Sequence, residues 1–249
     1  MSQASEPPNA PAVRSRLLWA GAVATFAASS LAAAELHGRA SRLPFEPPAE
    51  LRERPVAMTG SAADAFRIWR AAGIHGRRLV VLTGQWSRPR DLRSTPPTPE
   101  EVEAARASGE LEYVDARSAL FAAAQLGIVR SFDVVMPPSA LTHRLGEVAG
   151  RKELDRGDGS FRLTFHGLER RFSAPRAFAA PPERVLVLVE PTWFVDGAPA
   201  DPLAWLSAQG VTYDLALLAL EDPVAGPEER RTAVAYGEGA GAPFLEAEK

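Results

Sequence analysis

The sequence predicts an α/β fold: a mainly parallel sheet covered by helices on both faces in three layers (αβα), with one β-hairpin inserted. Three observations carry this expectation. Short, uniformly apolar runs such as Leu79 to Leu82, Val185 to Val189 and Leu215 to Leu220 are too brief for helices and fit strands buried on both faces. Between them lie segments with helical start signals and helical apolar spacing. Residues 160–173 instead alternate apolar and polar, which marks the hairpin.

The elements follow in order. Ser61 caps a helix whose apolar face is Ala65, Ile68, Trp69 and Ala72, and Gly73 ends it. The strand Leu79 to Leu82 comes next, bounded by Gly84. Thr98, Pro99 and Glu101 form a capping box with proline in the first turn, predicting a helix to about Ser108. A further helix is expected from Asp115 to Gln125, and a strand from Phe132 to Met136 is stopped by Pro137 and Pro138. Ala140 to Val148 reads as helix. Phe161, Leu163 and Phe165 then alternate with polar residues, His166 and Gly167 supply a turn, and Leu168 to Phe172 returns. Arg184 to Glu190 is the strongest core strand in the chain. Asp201 and Pro202 open a short helix to Gln209, Leu215 to Leu220 is the last buried strand, and Pro227 to Tyr236 the last helix.

This core occupies residues 61–236, a length that suits one domain. Before it, residues 35–60 carry Pro44, Pro47, Pro48 and Pro55 among charges and read as a Pro-rich linker. After it, residues 237–249 read as a flexible tail. Gly237, Gly239 and Gly241 follow a helix rather than a strand, so they do not form a phosphate cradle.

Residues 17–34 carry no charge and stand behind Arg14 and Arg16, after a polar stretch, residues 1–16, expected in the cytoplasm. Two fates are open. Small residues at Ala32, Ala33 and Ala34 suit a signal peptide cleaved before Glu35, whereas the length of the core suits an uncleaved membrane anchor. Either fate puts the body outside the cytoplasm, in the periplasm of a bacterium or an equivalent compartment. Such a place has no ready ATP supply, so kinase-like and ATPase readings fall away.

Composition narrows the chemistry. The chain of 249 residues has no cysteine, which removes disulfides, thiolate nucleophiles and Cys-ligated metals. A formal net charge of -3 argues against general nucleic-acid binding. Lys152 and Lys249 are the only lysines, so an arginine here is a weak signal of anion recognition. His37, His75, His143 and His166 are too dispersed for a metal motif. His143 stands nearest a strand's carboxyl end, and a serine hydrolase would need it beside Ser87 or Ser139, with Asp91 or Asp133 as orienter. No G-x-S-x-G elbow frames either serine. Glu100 with Glu101, and Glu228 with Glu229, sit in first turns of helices, where the dipole favours them.

In parallel α/β sheets ligands sit beyond the carboxyl ends of the strands. The segments to search are therefore Thr83 to Arg93, Pro137 to Thr142, Glu190 to Asp196 and Glu221 to Gly226. Gln85, Trp86, Ser87, Arg88, Arg90 and Arg93 follow the first core strand, and Glu190, Trp193 and Phe194 follow the strongest. Two arrangements are open to them. In one, the tryptophans, the amide and the guanidinium groups line a pocket for a planar or sugar-like ligand and its anionic group. In the other, Trp86 and Trp193 fill the site with apolar bulk and the arginines stay in water.

The segments AFRIWRAAGIHGRRLVVLTGQWS, ARSALFAAAQLGIVRSFDVVMP and RVLVLVEPTWFV, with PLAWLSAQGVTYDLALLALEDP, resemble an uncharacterised family with the arginase and deacetylase type of α/β fold, over roughly residues 62 to 236. The resemblance implies metal ligands at two strand ends, a His-x-Asp-Ala-His-x-Asp run and an Asp-x-Asp-x-Asp-type run. This chain departs from both. Val81, Thr83, Gln85 and Ser87 stand at the first set of positions and Leu188, Glu190 and Thr192 at the second, so only Glu190 keeps a carboxylate. A bridged metal pair needs several anionic or imidazole ligands. The expectation is a metal-free, cofactor-free pseudoenzyme of the cell envelope that binds a small molecule or an envelope protein, with candidate ligand residues Gln85, Trp86, Ser87, Arg88, Arg90, Glu190 and Trp193. It would touch the membrane through residues 17–34 if these are kept, and it would not engage nucleic acid. The alternative is a hydrolase of an amide or ester with a metal-independent site.

Overall fold

A computed structural model describes residues 51, 55–86, 119–150, 154–157, 159–165 and 168–247, all within the compact unit Pro44–Lys249. Residues 1–43, the helix expected at Thr98 to Ser108, and Ser87, Arg88, Arg90, Asp91, Arg93 and His166 lie outside the described residues. Among the described residues no helix is long and apolar enough to cross a membrane.

Among the described residues, eight strands form one sheet: β1 (Val56–Ser61), β2 (Arg77–Leu82), β3 (Val129–Val135), β4 (Leu154–Gly157), β5 (Ser160–Phe165), β6 (Leu168–Ser173), β7 (Val185–Val189) and β8 (Tyr213–Glu221). Their spatial order is β1-β8-β7-β2-β3-β6-β5-β4. The five pairings from β1 to β6 are parallel, and the two involving β5 are antiparallel. Among the described residues there are five α-helices: α1 (Ala62–Ala71), α2 (Ala119–Gln125), α3 (Pro138–Val148) and α4 (Pro202–Ala208) between strands, and α5 (Pro227–Gly239) after the last strand. A mostly parallel sheet with helices between strands is the expected α/β class.

The apolar runs become strands because both their faces are covered. Leu79 and Val81 join Leu186, Leu188, Leu215 and Leu217 in a core with Phe66 and Trp69 of α1, Ala123 of α2 and Val148 of α3. Val80 and Leu82 join Val185, Val187, Val189, Ala216 and Leu218 in a second core with Leu203 and Leu206 of α4. That second core reaches β3 only at Val135. Beyond it, Arg162, Thr164 and Glu169 of β5 and β6 stand exposed, which explains why the hairpin alternates in sequence while the central strands do not.

Local signals set the helix starts. The Ser61 hydroxyl accepts from the Asp64 amide at 3.4 Å and donates to its carboxylate at 2.9 Å, and Gly73, at φ 65°, provides the left-handed stop two residues after α1. The Asp201 carboxylate caps α4 by accepting from the Ala204 amide at 2.9 Å.

Two expected segment limits move. The last part of the linker expected at residues 35–60 is β1, an edge strand on β8 whose Val56 and Ala57 are buried. The tail expected from residue 237 is ordered structure: α5 continues to Gly239, Gly237 is buried where a Cβ would run into the Met58 side chain, and Phe244 bridges Met58. The Met58 amide donates to the Pro243 carbonyl at 2.7 Å and the Leu245 amide to the Met58 carbonyl at 2.8 Å. Glycine at 237 leaves room for the Met58 side chain between helix and strand, and that same glycine makes the sequence resemble a loose tail. A further short strand, β4, precedes the expected hairpin and pairs antiparallel with β5.

Candidate functional site

From β2 the chain moves outward to β3, and from β7 it moves the opposite way to β8, so the gap between β2 and β7 is a topological switch point. Thr83 and Gly84 stand at the carboxyl end of β2, Glu190 and the 3-10 turn Pro191–Trp193 at that of β7, and Asp222 at that of β8. The beginnings of three segments singled out from sequence, at Thr83, Glu190 and Asp222, thus meet where this class of sheet places ligands. Both carboxylates precede a proline, in Glu190-Pro191 and Asp222-Pro223. Proline holds the residue before it extended, and Glu190, whose amide donates to the Leu82 carbonyl, prolongs its strand by one position.

The strand ends are zipped together. The Thr83 and Thr192 hydroxyls are 2.9 Å apart, and the Gly84 amide donates to the Thr192 hydroxyl at 3.2 Å. The main chains approach so closely that a Cβ at Gly84 would collide with the Thr192 carbonyl. Thr83 also donates to the Gln85 carbonyl at 2.9 Å and accepts from the Gln85 amide at 3.1 Å. Its single hydroxyl therefore organises the loop that carries Gln85 and Trp86.

Glu190 is 8% exposed and Asp222 7%. Burial, then the neighbouring Asp222 charge, pushes the Glu190 carboxyl up from 4.5 to about 8, against a hydrogen bond with Thr83 that lowers it. Asp222 accepts from the Val224 amide at 2.8 Å through its side chain and from the Arg230 guanidinium at 2.9 Å through its main-chain carbonyl. No cation among the described residues forms an ion pair with Glu190. No group of three or more His, Cys, Asp or Glu among the described residues could hold a metal ion.

The other candidate residues separate. Trp86 is half-buried and packs edge-on against Phe132 and Phe172, with centroids at 6.2 and 5.6 Å, beside the first core. Trp193 is fully buried in the second core, its indole N–H donating to the Pro199 carbonyl at 3.1 Å and its ring 6.0 Å from Trp205. The two tryptophans thus serve opposite faces of the sheet rather than one shared pocket. Phe194 packs on Tyr236 at 5.5 Å. Gln85 is exposed.

The serine hydrolase constellation has no orienter in Asp133. That carboxylate is 1% exposed and held from two sides by Arg78, through Nε and through Nη2 at 2.9 Å. The paired carboxylate in turn raises the Arg78 pKa. Ser139 and His143 are both exposed on α3. Asp222 is the site residue that sequence reasoning did not single out. Its signal was the acid–proline step it shares with Glu190 at the end of a buried strand.

No family model matches the chain, and no curated protein or solved structure is significantly similar to it.

Proposed function

We propose that this chain is a non-catalytic binding domain of the cell envelope, whose ligand site is the rim of the crevice over the ends of β2, β7 and β8. The observation that carries this reading is the Thr83–Thr192 contact at the switch point. Where α/β enzymes of this type hold reacting groups, two hydroxyls satisfy one another, and the flanking Val81 and Leu188 are wholly buried core. Gln85 and Trp86 form the accessible rim, an amide and an aromatic edge suited to a planar or sugar-like ligand.

On the arginase-like reading, the same residues stand where metal ligands would be, and the domain is a relative with its hydrolytic centre dismantled. The apolar segment at residues 17–34 supports export or anchoring outside the cytoplasm. A second reading, an amide or ester hydrolase without metal, is favoured by Glu190 alone, because a carboxyl held at about 8 is poised for proton transfer near neutral pH.

Metal content and activity discriminate among these. The full chain, purified without chelators, is expected to carry substoichiometric zinc and manganese and to leave a panel of esters and amides intact. In a thermal-shift screen of sugars and aromatic acids, a hit should be lost in Trp86→Ala. Stoichiometric zinc or manganese, or turnover abolished by Glu190→Gln, would overturn the binding reading.

A further inference from the structure

The two edges of the sheet differ in charge. Residues 151–176, which supply β4, β5 and β6, hold seven lysines and arginines against four acids, whereas residues 221–249, from the end of β8 through α5, hold seven acids against three basic residues. The strand order puts β4, β5 and β6 at one edge and β1 and β8 at the other, so a chain of net charge -3 is polarised along its sheet. Within the basic end, Arg162 of β5 and Arg171 of β6 stand directly opposite in the antiparallel register, on the face turned away from Phe161, Leu163 and Phe172. Like charges across a strand pair are destabilising, so the fold gains nothing from this pairing. Neither guanidinium makes a hydrogen bond or an ion pair among the described residues. The row continues to Asp133 beside Arg171 and to Asp155 beside Arg162, and the Asp133 carboxylate is already held by Arg78. Because the second core stops at Val135, Arg162, Thr164 and Glu169 stand exposed on this face. A third exposed guanidinium, Arg176, lies beside Gly159 at the start of β5.

We propose that this hairpin face docks on an anionic phospholipid surface, with Arg162 and Arg171 sharing lipid phosphates and Arg176 adding to their charge. A guanidinium fork donates two parallel N–H groups to a phosphate, and a phosphate between the two arginines turns their repulsion into a joint attraction. The occupant is a plane of headgroups because the face is an open sheet surface, whereas a single small anion is held in a concave site. The acidic end at β1 and β8 is repelled by the same surface, which sets the hairpin toward the bilayer. Each basic residue near an anionic membrane strengthens attraction only about fivefold. The face therefore orients the domain and leaves retention to the apolar segment 17–34. Retention rests on the envelope reading above; the docking face depends on neither that segment nor the crevice.

The test uses the full chain, whose lack of cysteine allows a single label. A fluorophore is placed through Thr164→Cys on the hairpin face or, as a control, through Glu228→Cys on α5, and quenching by a headgroup-borne quencher is read in vesicles. Phosphatidylcholine mixed with phosphatidylglycerol should quench the label at 164 and not at 228, and phosphatidylcholine alone should quench neither. The docked-to-free ratio should fall about fivefold in Arg162→Gln and in Arg171→Gln, rise in Glu169→Gln, and fall with added salt. Equal quenching at the two positions, equal quenching in neutral vesicles, or arginine variants that match the wild type overturn the proposal. Displacement by inorganic phosphate or poly-glutamate at constant ionic strength would assign the face to a soluble anion and overturn it too. Vesicle flotation separates the two readings: a chain that floats only with anionic vesicles, and only with Arg162 and Arg171 intact, refutes the anchor and upholds the docking face.

Discussion

At the scale of single residues, Glu190 dominates because it is a buried carboxyl beside another carboxylate without a paired cation among the described residues. Its folded-state value is raised above its ordinary 4.5 to about 8, so the folded protein holds the proton more tightly than the unfolded chain. The stability linked to it is therefore fully present below about pH 4.5, falls as pH rises to about 8, and is level beyond. The loss is on the order of a few kcal/mol. Urea unfolding across this window should show the decline in the wild type and a flattened profile in Glu190→Gln; parallel profiles would mean that another group titrates. Glu190 was legible in sequence as the one carboxylate left at the expected ligand positions. Its neighbour was not, because Asp222 lies 32 positions further along the chain (222 minus 190) and only the β7–β8 pairing brings them together.

At the scale of elements, caps were the most legible feature, since a cap is a contact over three residues and needs no tertiary partner. Asp201 shows how far that goes. Its carboxylate accepts from the Ala204 amide, as the sequence suggests, and also from the Tyr236 hydroxyl of α5 at 2.7 Å. Burial and this bond raise the Tyr236 pKa, and the same hydroxyl accepts from the Leu203 amide at 3.3 Å. One carboxylate thus starts α4 and ties α5 to it. Asp201→Ala should cost about 1–2 kcal/mol from the cap, with a further loss from the orphaned tyrosine. Tyr236→Phe should recover only the second part. A double-mutant cycle in chemical denaturation measures the coupling, and strict additivity would refute the latch. The edge elements β1 and β4 escaped sequence reading for the opposite reason. The strand β4 is short, and β1 sits beside proline and charge, so the identity of β1 as a strand comes from its neighbours: β8 on one side and residues 243–245 on the other.

At the scale of the molecule, the β1 edge of the sheet is covered. The C-terminal segment lies along β1 and occupies the Met58 amide and carbonyl, which would otherwise present an open edge to another chain. A chain ending at Gly241 should melt at lower temperature and associate with rising concentration, as read by light scattering. A monomer of unchanged stability would show that the segment protects nothing. The sequence by itself determined the α/β class, the central strands and most helix starts, because buried apolar runs and caps are encoded within a few residues. It also determined the strand ends at which to look, since the sheet class dictates where its connections cross over. Only the tertiary structure decided the strand order, the separation of Trp86 from Trp193 onto opposite faces, and the pairing of Glu190 with Asp222 and of Thr83 with Thr192. Those are relations between residues far apart in the chain, set by which strands lie side by side and by the alternation of their faces.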